Sequence, residues 1–254
     1  MFQSILNPLE VSWGIWFITL GCAFINGLSK SGLKGVGMVT IPILAYFYGG
    51  MMSAGLLLPF LIFGDIFALR YYHRSAKWQQ IKRLLPSALV GIFIALLVGQ
   101  MVNDRTFRDI IAIIVFICLA IIILFDILGK KVDFSKSRSI SGLTGLSGGF
   151  ATMIGNAAGP IFDLYLLSMR LPKVNFIGTG AVFFLTLNVI KLPLHFFIWK
   201  SVTIASLQMN VVMIPAVFLG AMAGKKIVGY IPEKAFRYFV VVVIAVSALL
   251  LLIK

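Results

Sequence analysis

Ten apolar runs separated by short polar stretches constrain this 254-residue chain more than any other feature. They fall at 13–28, 36–48, 52–71, 84–102, 107–128, 139–150, 158–169, 175–198, 204–224 and 235–253. Six are close to the ~20 residues that a helix needs to cross a bilayer core about 30 Å thick. Composition agrees. Only 12% of residues are charged and 60% are hydrophobic, where a soluble domain carries about 25% charged residues. Mean hydropathy is +1.04. The expected fold class is an all-α polytopic membrane protein. The net charge of +14 does not point to nucleic acid, because the basic residues lie in pieces between the apolar runs and form no single face. Cys22 and Cys118 both sit inside apolar runs, and His73 and His195 stand far apart, so no disulfide, metal site or cofactor is expected. Met1 to Ser12 contains no Lys or Arg, unlike the basic start of a cleaved signal peptide.

The other four runs are short or glycine-interrupted, and they come as two neighbouring pairs, 13–28 with 36–48 and 139–150 with 158–169. The chain also resembles itself. At an offset of 118, Gly27-Leu28-Ser29 recurs as Gly145-Leu146-Ser147, Gly37 as Gly155, and Pro42-Ile43 as Pro160-Ile161. At 123, Gly55, Phe60 and Asp65 meet Gly178, Phe183 and Asn188. At 129, Pro86 and Gly91 meet Pro215 and Gly220, and Asp104-Arg105-Thr106-Phe107-Arg108 meets Glu233-Lys234-Ala235-Phe236-Arg237. This order of matches predicts two repeats, each a short hairpin plus three long spans: 1–128 with hairpin 13–48, a basic cytoplasmic linker 129–138, and 139–254 with hairpin 139–169. The hairpins either span or re-enter. Both options give an odd number of crossings, so the second repeat is expected inverted. With the N-terminus outside, the loops 73–83, 129–138, 170–174 and 225–234 face inward and hold thirteen Lys and Arg. The outer segments hold only Arg105, Lys200 and Lys254. The positive-inside rule therefore favours the inverted layout with both termini outside.

The two breaks hold the candidate chemistry. The first tip runs from Gly27 to Gly37 and includes Ser29, Lys30, Ser31, Lys34 and Gly35; the second runs from Gly145 to Pro160 and includes Ser147, Gly155 and Asn156. Glycine permits a sharp reversal, and non-helical backbone inside a bilayer has to line a cavity or pack in protein. Helix N-termini near Gly35 and Asn156 would offer free N–H groups to an anion. The plainer reading is that these glycines only allow close helix packing. Lysines at the bilayer centre cost about 2.5–3.5 kcal/mol on insertion scales, which makes Lys30 and Lys34 the sharper clue; the alternative is a tip near the surface with snorkelling lysines. Lys191 lies deep in its run with Asn188 one turn earlier on the same face. Asp65, the counterpart of Asn188, serves either as an ion-pair partner or as a site of proton coupling. Asp163, Asn175, Thr179, Ser29 and Ser147 rank second. His195, four residues before Trp199-Lys200, is expected at the interface.

Gly145-Leu146-Ser147-Gly148 also has the Gly-x-Ser-Gly form of rhomboid-type intramembrane proteases, with His195 as the conceivable base. The matching first-half segment has no such histidine, so this is the weaker alternative. The chain has no phosphate-binding loop, so the energy for transport would come from an ion or substrate gradient.

Gly27 to Pro42, with Ser29-Lys30, Gly32, Gly35 and Gly37, resembles the first signature of the TauE/SafE sulfite exporter family, also called TSUP. Asn156-Ala157-Ala158-Gly159-Pro160, Leu171-Pro172-Lys173-Val174-Asn175-Phe176-Ile177-Gly178-Thr179 and Asn188-Val189-Ile190-Lys191-Leu192-Pro193 resemble its second half. The similarity covers nearly the whole chain. It implies a multi-pass cell-membrane transporter, and no enzyme, that exports a small anion such as an organosulfonate, sulfite or a related sulfur oxyanion. It assigns substrate binding to the tip residues, Asn188 and Lys191. Where many members carry a glycine triplet, this chain has Lys30 and Lys34. The expected partners are the lipid bilayer, a small anion and a coupling proton. An anion channel of the same architecture is the alternative.

Overall fold

The computed structural model describes residues 12–103 and 137–232, together with 105, 106, 109, 110, 113, 235, 236, 238, 239 and 242. Most of the expected runs 107–128 and 235–253, most of the linker 129–138, and Cys118 lie outside the described residues. All elements described are helical: α1 (Trp13–Ser31), a 3-10 turn (Val36–Val39), α2 (Thr40–Tyr48), α3 (Gly50–Tyr72), α4 (Trp78–Met101), α5 (Arg138–Gly155), α6 (Gly159–Ser168), α7 (Lys173–Pro193) and α8 (Ile204–Tyr230). With their short extensions, α3, α4, α7 and α8 are each long and apolar enough to cross a membrane.

The surface is apolar where a soluble protein would be polar. Phe93 and Leu97 on α4, and Val211, Phe218 and Leu219 on α8, are exposed. Lys34, Asp65, Asp163, Asn188 and Lys191 are buried. Lipid facing the outer side chains accounts for this inversion.

The two hairpins have unequal arms. By the 1.5 Å rise per residue, the 19 residues of α1 span about 28 Å, while the 10 residues of α6 span about 15 Å. Each hairpin is stapled by a hydroxyl pair: Thr19 with Tyr48 at 2.8 Å in the first, Ser141 with Tyr165 at 3.0 Å in the second. The N-termini of α1 and α5 are capped by Ser12 and Ser137, whose side chains accept from Ile15 and Ile140. Thr203 and Ser206 form a reciprocal capping box at the start of α8.

The expected tips are too long. Gly27-Leu28-Ser29-Lys30 is the helical end of α1, and Gly145-Leu146-Ser147-Gly148 lies in the middle of α5. Their glycines serve packing. A Cβ at Gly27 would run into the Val217 carbonyl of α8, and one at Gly149 into the Ala88 carbonyl of α4. Gly220 and Gly91 meet the backbones of α1 and α5 in the same manner. Small residues let these helices approach backbone to backbone. The true breaks are shorter: Gly32–Gly35 in the first hairpin and Asn156–Ala158 in the second. Gly35 has φ 90°, a conformation that residues with a Cβ avoid. Asn156 turns the second break in the left-handed region at φ 56°, where asparagine is better tolerated than most residues.

Each hairpin leans mainly on a long helix from the other half of the chain: α1 on α8, and α5 on α4. Between them α3 packs against α7, and these two helices bring Asp65 and Asn188 to the centre.

Candidate functional site

Lys30 leaves the last turn of α1 and reaches Asp65 on α3, with Nζ 2.9 Å from Oδ2. Gly64 makes room for the lysine stem, since a Cβ there would press on Lys30 Cγ and Cβ. The ammonium also lies 4.7 Å from the centre of the Phe184 ring. Asn188 on α7 donates from Nδ2 to the same Oδ2 at 2.9 Å. Asp65 is wholly buried and its Oδ1 has no hydrogen-bond partner. Of the two readings left open for Asp65, the geometry realises the ion pair.

The second tip is held from behind. Lys191 on α7 donates to the Thr152 carbonyl (2.8 Å), the Thr152 hydroxyl (3.0 Å) and Asn156 Oδ1 (2.6 Å). An ammonium has three donor hydrogens, and these three acceptors can use them all. Asn156 spends its own Nδ2 on the Ala54 carbonyl of α3, at 2.9 Å.

Between the tips lies a cavity of about 60 Å³. Its polar wall comes from Ser29, Lys30, Lys34, Asn156, Asp163 and Asn188, and its apolar wall from Met38, Ile41, Leu57, Leu61 and Phe184. Lys34 is only 4% exposed, and its ammonium makes no hydrogen bond or ion pair among the described residues. Gly180 on α7 leaves the space its ammonium fills: a Cβ there would stand 3.1 Å from Nζ. Asp163, on α6, is 2% exposed, and its Oδ1 lacks a partner.

The structure therefore divides the expected site. Lys30, Lys34, Gly35, Asn156, Asn188 and Ser29 line the cavity. Ser31, Gly155 and Lys191 do not. Ser31 donates back to the Gly27 carbonyl, Gly155 ends α5, and Lys191 has its hydrogens occupied. Asn175 and Thr179 pin the α3–α4 connection instead: Asn175 donates to the Ser75 carbonyl, and Thr179 accepts from the Lys77 N–H. Ser147 sits on the exposed side of α5 and donates to the Leu143 carbonyl of its own helix. His195 is buried in the protein near the end of its helix, and its Nδ1 meets Ser201 Oγ at 2.8 Å. No hydrogen bond joins Ser147 to His195, so the protease pairing is not formed. The expected donors at the helix starts are also fewer. Pro160 opens α6 without an N–H, and the Met38 N–H is taken by the Gly35 carbonyl.

Sequence reasoning missed Asn26, Thr152, Phe184 and Gly180. Asn26 had a visible signal, a buried amide within an apolar run; it lines the cavity and donates to Cys22 O and Thr40 Oγ1. Thr152, Phe184 and Gly180 carry no such mark.

The family model described as sulfite exporter TauE/SafE matches residues 17–251. The chain belongs to the TauE/SafE family. TauE/SafE members are membrane transporters and not enzymes, which sets the protease alternative aside. No curated protein and no solved structure matches the chain significantly. Among the described residues of this TauE/SafE member, no cluster of His, Cys, Asp or Glu is suited to hold a metal ion.

Proposed function

We propose that the chain is a secondary transporter that exports a small sulfur oxyanion or short sulfonate, held between the two hairpin tips. The observation that carries this reading is Lys34, whose ammonium has no direct partner among the described residues and stands on the wall of a cavity lined by residues of both breaks. A buried ammonium that no acceptor touches directly is costly, and an anionic cargo supplies that direct partner. A site for one water needs roughly 10–15 Å³ of such volume, so a cavity of about 60 Å³ has room for a compact oxyanion. Lys30, already paired with Asp65, shapes the wall and adds positive potential. Ser29 and Asn26 supply short polar contacts.

Two further observations support a two-fold relation between the halves, which the odd number of crossings and the distribution of Lys and Arg favour as an inverted one. Asp65 and Asn188, related by the repeat offset of 123, touch each other, as residues do beside a two-fold axis. The packing of α1 on α8 is exchanged for that of α5 on α4, which is its counterpart under the same relation. An axis in the membrane plane would let the two sides open in turn around a fixed site. We read the protein as a multi-pass plasma-membrane protein with both termini outside.

Sulfite and methanesulfonate should raise the unfolding temperature of the detergent-purified protein by mass action, and Lys34→Ala should remove the shift. A Lys34→Ala protein stabilised as strongly as wild type overturns the cationic site. Cysteines introduced at Lys77 and Lys200 should be labelled from opposite sides; labelling from one side overturns the inverted layout. Counterflow in proteoliposomes distinguishes this carrier from a channel, which would show none.

A further inference from the structure

We propose that Asp163 is a protonation site whose uptake of one proton accompanies anion binding, which makes a monovalent anion's passage electrically neutral. The inference rests on the anion site proposed above and assigns its coupling.

Three observations carry it. Asp163 lines the cavity, it is 2% exposed, and its Oδ1 has no hydrogen-bond donor. Its place is on α6, the short arm of the second hairpin, while Lys34 stands on the first tip. One cavity thus holds one unpaired ammonium and one carboxylate that no hydrogen bond ties down.

The other carboxylate at the centre is unsuited to this part. Asp65 does not line the cavity, and its Oδ2 already accepts from Lys30 and Asn188. The charged groups that act on Asp163 are Lys34 and Lys30, from the first hairpin. Of the other titratable groups nearby, Asp65 on α3 is tied to Lys30, and Lys191 on α7 is tied to Thr152 and Asn156. Tyr48 on α2 is tied to Thr19, and Tyr165 on α6 is tied to Gln80 and Ser141. From α5, the cavity receives only the neutral Thr152.

The consequence is electrostatic. In the empty state, the Asp163 carboxylate and the Lys34 ammonium balance each other across the cavity. An arriving anion takes the ammonium and meets the carboxylate as a like charge at close range. A proton from the water on the open side, bound to Asp163, removes that charge and turns an acceptor into an O–H donor for an anion oxygen. On the other side the anion and the proton leave together, and the Asp163–Lys34 balance returns. The charge inside the cavity is the same before loading and after it.

Methanesulfonate keeps its single charge across the tested range, so any pH dependence belongs to the protein. Calorimetric titration of the full-length protein in detergent, in two buffers of different ionisation enthalpy, counts the protons bound with each anion. We expect close to one proton per methanesulfonate, and an affinity that falls about tenfold per pH unit once Asp163 is ionised in the empty protein. Asp163→Asn should reduce the proton count to zero and flatten the pH profile. No proton uptake by wild type overturns the coupling while leaving the anion site standing. Uptake that survives Asp163→Asn assigns the proton to another group and also overturns it. If neither methanesulfonate nor sulfite binds wild type at any pH, the anion site falls and the coupling with it. If Asp163→Asn is not monodisperse, Asp163→Ser takes its place, with the same two outcomes.

Discussion

At the first hairpin the lysine stands on the hairpin arm and its partner, Asp65, on the long helix α3. At the second the positions are exchanged: the partner amide, Asn156, stands on the hairpin, and the lysine, Lys191, on the long helix α7. The first junction is a charge pair and the second a cation among neutral oxygens. Both tie a break to the central helix pair α3–α7. Only the first tip carries a further lysine, Lys34, whose ammonium bonds to no group among the described residues. The difference teaches that a buried lysine in a membrane is not by itself evidence of a ligand. What counts is whether its three hydrogens are already used.

The comparison breaks first at Lys30. Lys30→Met leaves Asp65 buried with only Asn188 beside it, and losing one partner of a buried pair costs about 3–5 kcal/mol. Unfolding in detergent should show that loss. The double change Lys30→Met with Asp65→Leu should recover most of it, because no orphaned charge remains. A single variant as stable as wild type would mean the pair is not formed.

Lys34→Ala should act on binding instead. A charge-assisted hydrogen bond contributes about 1.5–3 kcal/mol, so sulfite affinity should fall roughly tenfold to a hundredfold. Stability without ligand should fall less than in Lys30→Met, because Lys34 makes no direct ion pair among the described residues and Asp163, the carboxylate across the cavity, can take up a proton. Titration calorimetry and a ligand-free melt read the two effects separately. A large loss of ligand-free stability with unchanged affinity would make Lys34 a structural residue like Lys191.

Much of this was legible in the residues. The apolar runs locate the long spans, because a bilayer sets their length. The repeat makes Asp65 the counterpart of Asn188, but their contact at the centre is a finding of the structure. The tips were legible only as regions. Gly27 and Gly145 read the same way whether they reverse the chain or receive another helix, and their contacts with α8 and α4 decide for the latter. Lys191 had the signature of a binding residue, one cation deep in a span. Its three acceptors come from Thr152 and Asn156, more than 30 residues away, and no spacing rule brings them together. Gly180 illustrates the same limit, since its role is the space it leaves for Lys34.

Lys191→Met sharpens the contrast between the lysines. It leaves Asn156 Oδ1 and two Thr152 oxygens short of a donor, at a cost of about 1–3 kcal/mol. Sulfite affinity in the folded fraction should change less than it does in Lys34→Ala. A thermal melt with and without sulfite checks both. The reverse ranking would return Lys191 to the substrate and take Lys34 from it.

The smallest expected effect separates the two backbone reversals. Gly35 holds φ 90° and Asn156 holds φ 56°. A Cβ in the left-handed region costs roughly 1–2 kcal/mol per residue, and asparagine pays least because its side chain bonds locally. Gly35→Ala should therefore lower stability by about that amount, and Gly35→Asn by as much, because ψ −31° takes Gly35 out of the αL well that Asn156 occupies. Asn156→Gly keeps the turn but removes the acceptor for Lys191, so its loss should resemble that of Lys191→Met, and combining the two should add little. A double-mutant cycle of the melts gives that coupling directly. Fully additive losses would mean that Asn156 acts independently of Lys191, through the turn or through its bond to the Ala54 carbonyl.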